Sequence, residues 1–191
     1  MLELSGIKKT FNKGTVNEKI AVQNLNFHAV KGDFVTIIGG NGAGKSTLFN
    51  IISGVIIPDD GCVILDGEDI TFQKEHKRAK KIGRIFQDPL KGTSPHMTVE
   101  ENLSLSYCRG KGSNFSIGIN KKEREMFYNI IKELDLGLED RMKTKMGLLS
   151  GGQRQAVTLI MSTLVTPKLL LLDEHTAALD PVAAEKVIKL T

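Results

Sequence analysis

Asp33-Phe34-Val35-Thr36-Ile37-Ile38-Gly39-Gly40-Asn41-Gly42-Ala43-Gly44-Lys45-Ser46-Thr47 is the stretch that decides the fold. Its aromatic and β-branched start runs into glycines, which predicts a strand over 33–38. Leu48, Ile51 and Ile52 then recur at helical spacing, which predicts a helix from Lys45 to Ile52. Between them, the glycines let backbone N–H groups turn inward around an anion, and the helix adds its positive end. Lys45 is placed to reach the β- and γ-phosphate oxygens of a nucleotide, and Ser46 to offer a hydroxyl to Mg²⁺. Gly39, Gly40, Asn41, Gly42, Ala43, Gly44, Lys45, Ser46 and Thr47 are therefore the predicted phosphate-binding residues.

Downstream, Leu169-Leu170-Leu171-Leu172 reads as a buried parallel strand that delivers Asp173 and Glu174 to its carboxyl end. Asp173 can hold Mg²⁺ through water, and Glu174, projecting elsewhere, can polarise a water in line with the γ-phosphate. Between these motifs stands Leu149-Ser150-Gly151-Gly152-Gln153, whose serine and glycines can open a second phosphate-binding helix, with Ala156, Leu159 and Ile160 as its buried face. A guanine-reading N-K-x-D segment after the loop is missing: Asn12-Lys13 lies upstream and has no Asp, and Asn120-Lys121-Lys122 is followed by Glu123 in place of Asp.

Around these motifs, 2–7 and 20–27 read as strands broken by the turn-rich Asn12-Lys13-Gly14-Thr15, and Val63-Ile64-Leu65 as a strand entering a tight turn at Asp66-Gly67. Thr98 and Glu101 form a capping-box pattern at a helix start. From Lys121 to Leu136 a stripe of Met126, Phe127, Ile130, Ile131 and Leu134 is read as core packing.

Loop, five-residue run and acidic strand end, in this order, resemble the ATP-binding cassette (ABC) ATPases, the motor subunits of ABC transporters, from about Phe11 to the last residue. The resemblance implies an α/β fold: a P-loop NTPase core, mostly parallel sheet flanked by helices, with an antiparallel β portion and a helical subdomain. It assigns 1–88 and 164–191 to the core and 89–163 to the helical subdomain that carries Leu149–Gln153, the family's signature motif. Gln87, in Phe86-Gln87-Asp88-Pro89, resembles the Q-loop glutamine that touches Mg²⁺ and the attacking water. Asp180, in Ala177-Ala178-Leu179-Asp180, resembles the D-loop that reaches across a subunit interface. Phe11 matches the adenine-stacking aromatic, and reads equally well as a core residue.

By that resemblance the chain is an ATPase that uses ATP and Mg²⁺. Two cassettes, a homodimer or a pair with a related ATPase, pack head to tail so that Ser150, Gly151, Gly152 and Gln153 of each close the other's ATP. A transmembrane permease subunit would hold the chain at the cytoplasmic face. The wording Asp173-Glu174-His175-Thr176 is similar to importer ATPases, some serving amino-acid uptake. His175 stands where the family usually has Pro; a packing role is favoured over a catalytic one, because neighbours on a strand exit point apart. Only 17 residues follow Glu174, short of the family's switch histidine and last strands, so a truncated form is expected. Two rivals remain: a soluble ABC ATPase of translation or repair, which generally has two cassettes or a long coiled coil, and a regulatory module that binds nucleotide without turnover.

The 191 residues suffice for one domain that buries about 70% of its unfolded surface. Cys62 and Cys108 lack metal or disulfide spacing and read as packing residues in a reducing compartment. No apolar run approaches the length of a membrane span, which predicts a soluble, cytoplasmic chain. The net charge of +4 is modest, and the basic run from Lys74 to Lys81 reads as a solvated helix face. It has no interleaved aromatics, so nucleic acid is not expected as a partner.

Overall fold

The structure, a computed structural model, describes residues 1–86, 88, 90–109 and 118–173. The chain divides into two compact units, Met1–Ile82 and Gly83–Thr191.

The first unit is built on an antiparallel sheet. β1 (Leu2–Phe11) pairs on one side with β2 (Lys19–Ala29) and on the other with β3 (Asp60–Leu65), which continues to β4 (Glu68–Asp69). The three predicted strands form and are longer than expected: β1 runs on past Ile7, β2 extends at both ends of 20–27, and β3 starts three residues before Val63 and ends as predicted at Leu65. Asp66 and Gly67 both have positive φ, 54° and 78°, which gives the β3–β4 turn the twist a two-residue hairpin needs. Leu2 and Leu4 face the core, and a register shift between Leu4 and Ile7 brings Ile7 to join them. Helix α1 (Lys45–Ser53) contributes Ile51 and Ile52 to the buried set, with Val63, Leu65 and Ile70.

The strand predicted at 33–38 is not formed. Residues 33–38 are in no ladder, and Phe34 and Ile38 are 86% and 90% exposed. β-propensity measures fit to a half-buried pleated surface, and a strand exists only with a neighbour to share its hydrogen bonds. The first unit's sheet is complete without these residues, in the order β2-β1-β3-β4.

The short helix α2 (Glu75–Arg78) carries the basic run. Lys74, Lys77 and Lys80 are exposed as predicted, but Arg78 is 1% exposed and is the largest fully buried side chain among the described residues. Its guanidinium spans four carbonyls. Nη1 donates to Ile51 O and Ile52 O at 2.8 and 2.9 Å, Nη2 to Thr71 O at 2.7 Å and Nε to Gln73 O at 2.9 Å. Burial holds its pKa below the ordinary arginine value, and the Asp69 carboxylate opposes that shift.

In the second unit, β5 (Ile82–Ile85) pairs with β6 (Leu169–Leu172), and helices α3 (Val99–Cys108), α4 (Lys121–Lys132) and α5 (Gly151–Thr163) share a core. Phe127, Ile131 and Leu134 are fully buried there, with Met126 and Ile130 packed at the edge, so the predicted stripe is core. The Tyr107 ring meets Phe127 edge-on, with centroids 5.9 Å apart. Ser106 Oγ and Arg109 Nη2 both donate to Met161 O, the latter at 2.8 Å, tying α3 to α5. In β6 only Leu171 is buried, so the strand is less enclosed than its four leucines predict. Cys62 is half-buried and Cys108 exposed, so packing does not account for Cys108.

Candidate functional site

The loop before α1 has the backbone that phosphate binding requires. Gly42 and Gly44 have φ of 81° and 89°, in the left-handed region that other residues avoid. A β-carbon at Gly44 would also fall 2.3 Å from Ala21 O of β2, so this position admits only glycine. Ala43 N donates to Gly40 O and Leu48 N to Gly44 O, closing the loop onto the first helical turn.

The start of α1 differs from the starts of α3, α4 and α5. Those three carry reciprocal caps formed by Thr98 with Glu101, Asn120 with Glu123 and Ser150 with Gln153. α1 has no side-chain cap and no acidic residue in its first turn. Its leading N–H groups are left for an external acceptor, with the positive end of the helix behind them. Lys45 folds back over the loop, where Nζ donates to Gly39 O at 2.5 Å and Gly40 O at 3.0 Å. An ammonium has three donors, so one remains for a phosphate oxygen. Gly39, Gly40, Asn41, Gly42, Ala43 and Ser46 are exposed, while Gly44, Lys45 and Thr47 are half-buried.

Phe11 closes β1 half-buried, with Lys9 Nζ 5.9 Å from its ring centroid. Asp173, half-buried, follows β6 and is fixed by its backbone N–H donating to Ile85 O at 3.2 Å. The Ser46 hydroxyl and the Asp173 carboxylate are each a hard oxygen donor of the kind Mg²⁺ takes. Among the described residues no three His, Cys, Asp or Glu side chains cluster. Gln87, Glu174, His175 and Asp180 lie outside the described residues.

At the signature run, Ser150 Oγ accepts from Gln153 N at 3.2 Å, and Gln153 Oε1 accepts from Ser150 N at 3.3 Å. The S-x-x-Q spacing of this cap is visible in the sequence, on the same residues that read as a phosphate-binding end. No motif points to Arg154, whose guanidinium donates to Met146 O, Gly147 O and Leu149 O and holds the segment entering α5. Ala156, Leu159 and Ile160 are buried as predicted.

A family model described as ABC transporter matches residues 22–177. The tyrosine transport ATP-binding protein of Clostridioides difficile (strain R20291) is 45% identical over 191 residues, which cover 100% of this chain and 76% of that protein. The choline transport ATP-binding protein OpuBA of Bacillus subtilis (strain 168) is 34% identical over 189 residues, 98% of this chain and 46% of that one. Among solved structures, dimeric MJ0796, a bacterial ABC transporter cassette, matches with a TM-score of 0.86 at 30% identity, over 100% of this chain and 81% of that one. MJ0796 in a post-hydrolysis state bound to ADP and Pi matches at 0.85 and 31%, with the same coverage. A glycine loop before an uncapped helix, a reciprocally capped helix start at Ser150 and a carboxylate-ended strand stand in a chain matched along its whole length, and that chain belongs to the ABC transporter family as an ATP-binding subunit.

Proposed function

We propose that this chain binds Mg-ATP on the loop Gly39–Ser46 and hydrolyses it as one half of a head-to-tail pair of cassettes, driving a separate permease. The start of α1 carries this reading: an uncapped, acid-free helix end behind a glycine loop, with an ammonium folded over it.

In this reading Gly39, Gly40, Asn41, Gly42, Ala43 and Gly44 surround the phosphates with backbone N–H groups, and Thr47 extends the contact into the first turn. Lys45 turns its remaining N–H toward the β- and γ-oxygens. Ser46 and Asp173 would hold Mg²⁺, which when bound neutralises phosphate charge, and Gln87 orients the site. Glu174 takes the proton of the attacking water. Phe11 stacks on adenine. Ser150, Gly151, Gly152 and Gln153 cover the partner's γ-phosphate, and Asp180 touches the partner beside it.

Residues 89–163 form the helical subdomain that passes closure to the permease, at the cytoplasmic face of a membrane. No helix among the described residues is long and apolar enough to cross one, which fits a separate membrane subunit. An amino acid is the favoured cargo class, supported by the 45% identity to a tyrosine transport ATPase.

Equilibrium binding of ATP with Mg²⁺ to the parent and to Lys45→Ala tests the site. The substitution removes the full charge aimed at the phosphates, and affinity should fall at least tenfold, the effect of losing a charge-assisted hydrogen bond. Equal affinity would remove the phosphate-loop assignment.

A further inference from the structure

Lys19 opens β2, directly opposite Phe11 of β1 in the ladder. Paired residues across a ladder share a face, so the two side chains stand side by side. Lys19 Nζ reaches the phosphate loop, lying 3.5 Å from where a β-carbon on Gly42 would be. Two residues further along β2, the backbone carbonyl of Ala21 lies directly under Gly44. β2 is thus the floor of the loop, and Lys19 stands at the margin that faces Phe11.

Other lysines of this sheet have partners. Lys8 pairs with Asp60 at 2.9 Å and Lys9 with Asp59 at 2.7 Å. Lys19 is exposed, and its side chain makes no hydrogen bond or ion pair with a described residue. Its ammonium instead shares the loop with the Lys45 ammonium and the positive end of α1, while the first turn of α1 has no acid to offset them. Like charges gathered in this way repel, and a polyanion relieves the repulsion.

We propose that Lys19 is a nucleotide-binding residue that contacts the phosphate nearest the sugar. The proposal rests on the phosphate-loop reading and extends it. Lys45 serves the β- and γ-oxygens from the helix side. Lys19 approaches from the opposite edge, on the face that carries Phe11, where the chain of phosphates must leave the loop toward sugar and base. A contact at that phosphate is common to ATP and ADP. Lys19 therefore contributes to holding both, and does not discriminate between them.

Titrating ATP and ADP, each with Mg²⁺, into the parent, Lys19→Ala, Lys19→Arg and Lys45→Ala by calorimetry tests this. Lys19→Ala should weaken both nucleotides by the same factor, about fivefold, the upper range for an exposed charge contact. Lys19→Arg should stay within about twofold of the parent, since it keeps the charge. The melting temperature without nucleotide should be unchanged in Lys19→Ala, while the rise caused by ADP shrinks. Parent affinity for both nucleotides in Lys19→Ala overturns the proposal, and so does a loss confined to ATP, which would place Lys19 at the γ-phosphate. A parent that binds neither nucleotide, or a Lys45→Ala variant that binds normally, would defeat the phosphate-loop reading itself. Tight parent binding with an unaffected Lys19→Ala defeats only the role of Lys19.

Discussion

Arg78→Ala should be among the most destabilising single changes available in the first unit. Four donor contacts of 2.7–2.9 Å connect this side chain to carbonyls of α1 and of the segment after β4. Hydrogen bonds from a charged donor contribute about 1.5–3 kcal/mol each, so simple addition would give roughly 6–12 kcal/mol. That sum overstates the loss, because the four bonds act as one unit and removing a buried cation also relieves its desolvation. Ile51 O keeps a second donor in Gly54 N. Breaking a buried charged network by removing one partner costs about 3–5 kcal/mol, which is the value expected here. For a chain of this size it corresponds to a fall of roughly 6–20 °C in melting temperature. Urea unfolding of the parent, Arg78→Ala and Arg78→Met measures it directly, and Met, which restores volume but no donors, should recover less than half. Gly54→Ala is an independent probe of the same packing, since its β-carbon would fall 2.7 Å from Arg78 Nε at a φ of 84°. A loss below about 1 kcal/mol in Arg78→Ala would refute the view that Arg78 clamps the end of α1.

Three further outcomes are expected. Glu174→Gln should bind ATP like the parent while steady-state hydrolysis falls by about 10²-fold or more, because an amide cannot accept the water's proton; an unchanged rate in a phosphate-release assay would exclude Glu174 as the base. Ser150→Ala should cost about 1 kcal/mol in urea unfolding through the lost cap, whereas Ser150→Arg should also abolish ATP-driven dimerisation in light scattering; a Ser150→Arg chain that dimerises like the parent would take the signature run away from any interface. The Asp59 pKa is held below the ordinary carboxylate value by Lys9 Nζ, with Thr10 N–H adding to it and slight burial opposing. A depressed folded-state pKa stabilises the fold above the unfolded value, about 3.9, and the contribution is lost as pH falls through the folded value. Stability measured from pH 6 to pH 2 should therefore decline more gently in Asp59→Asn than in the parent, and parallel curves would show that Asp59 is not linked to folding.

What the sequence shows of this molecule is what neighbouring residues decide among themselves. Asp66-Gly67 is legible because two adjacent residues set the whole turn, and Thr98 with Glu101 because a cap closes within one helical turn. The run 33–38 has the same β-rich wording as β3, yet only β3 finds β1 beside it, and nothing inside six residues reports whether a neighbour is present. Arg78 fails to show for a related reason. Its acceptors come from 51, 52, 71 and 73, so a window around Lys74–Lys81 contains the donor and at most one acceptor, and like charges on both sides suggest solvent.

The two helix ends that the sequence treats alike prove to be physically different, and the difference bears on the order of events. α1 leaves its first N–H groups to an outside acceptor, so its loop is ready for an anion in a single chain. α5 satisfies itself first, because Ser150 Oγ already accepts from Gln153 N. That cap does not remove the serine from the reading proposed for it. A hydroxyl has one donor besides its acceptor lone pairs, so Ser150 can keep Gln153 N–H and still donate to a phosphate oxygen, with the N–H groups of Gly151 and Gly152 alongside. In the proposed reading the α5 end would rest, capped by its own residues, until a second cassette brings a nucleotide to it, whereas the loop before α1 takes its shape within one chain. Under the function proposed above, binding at α1 would come first and closure at α5 second, because only the α5 end is already capped.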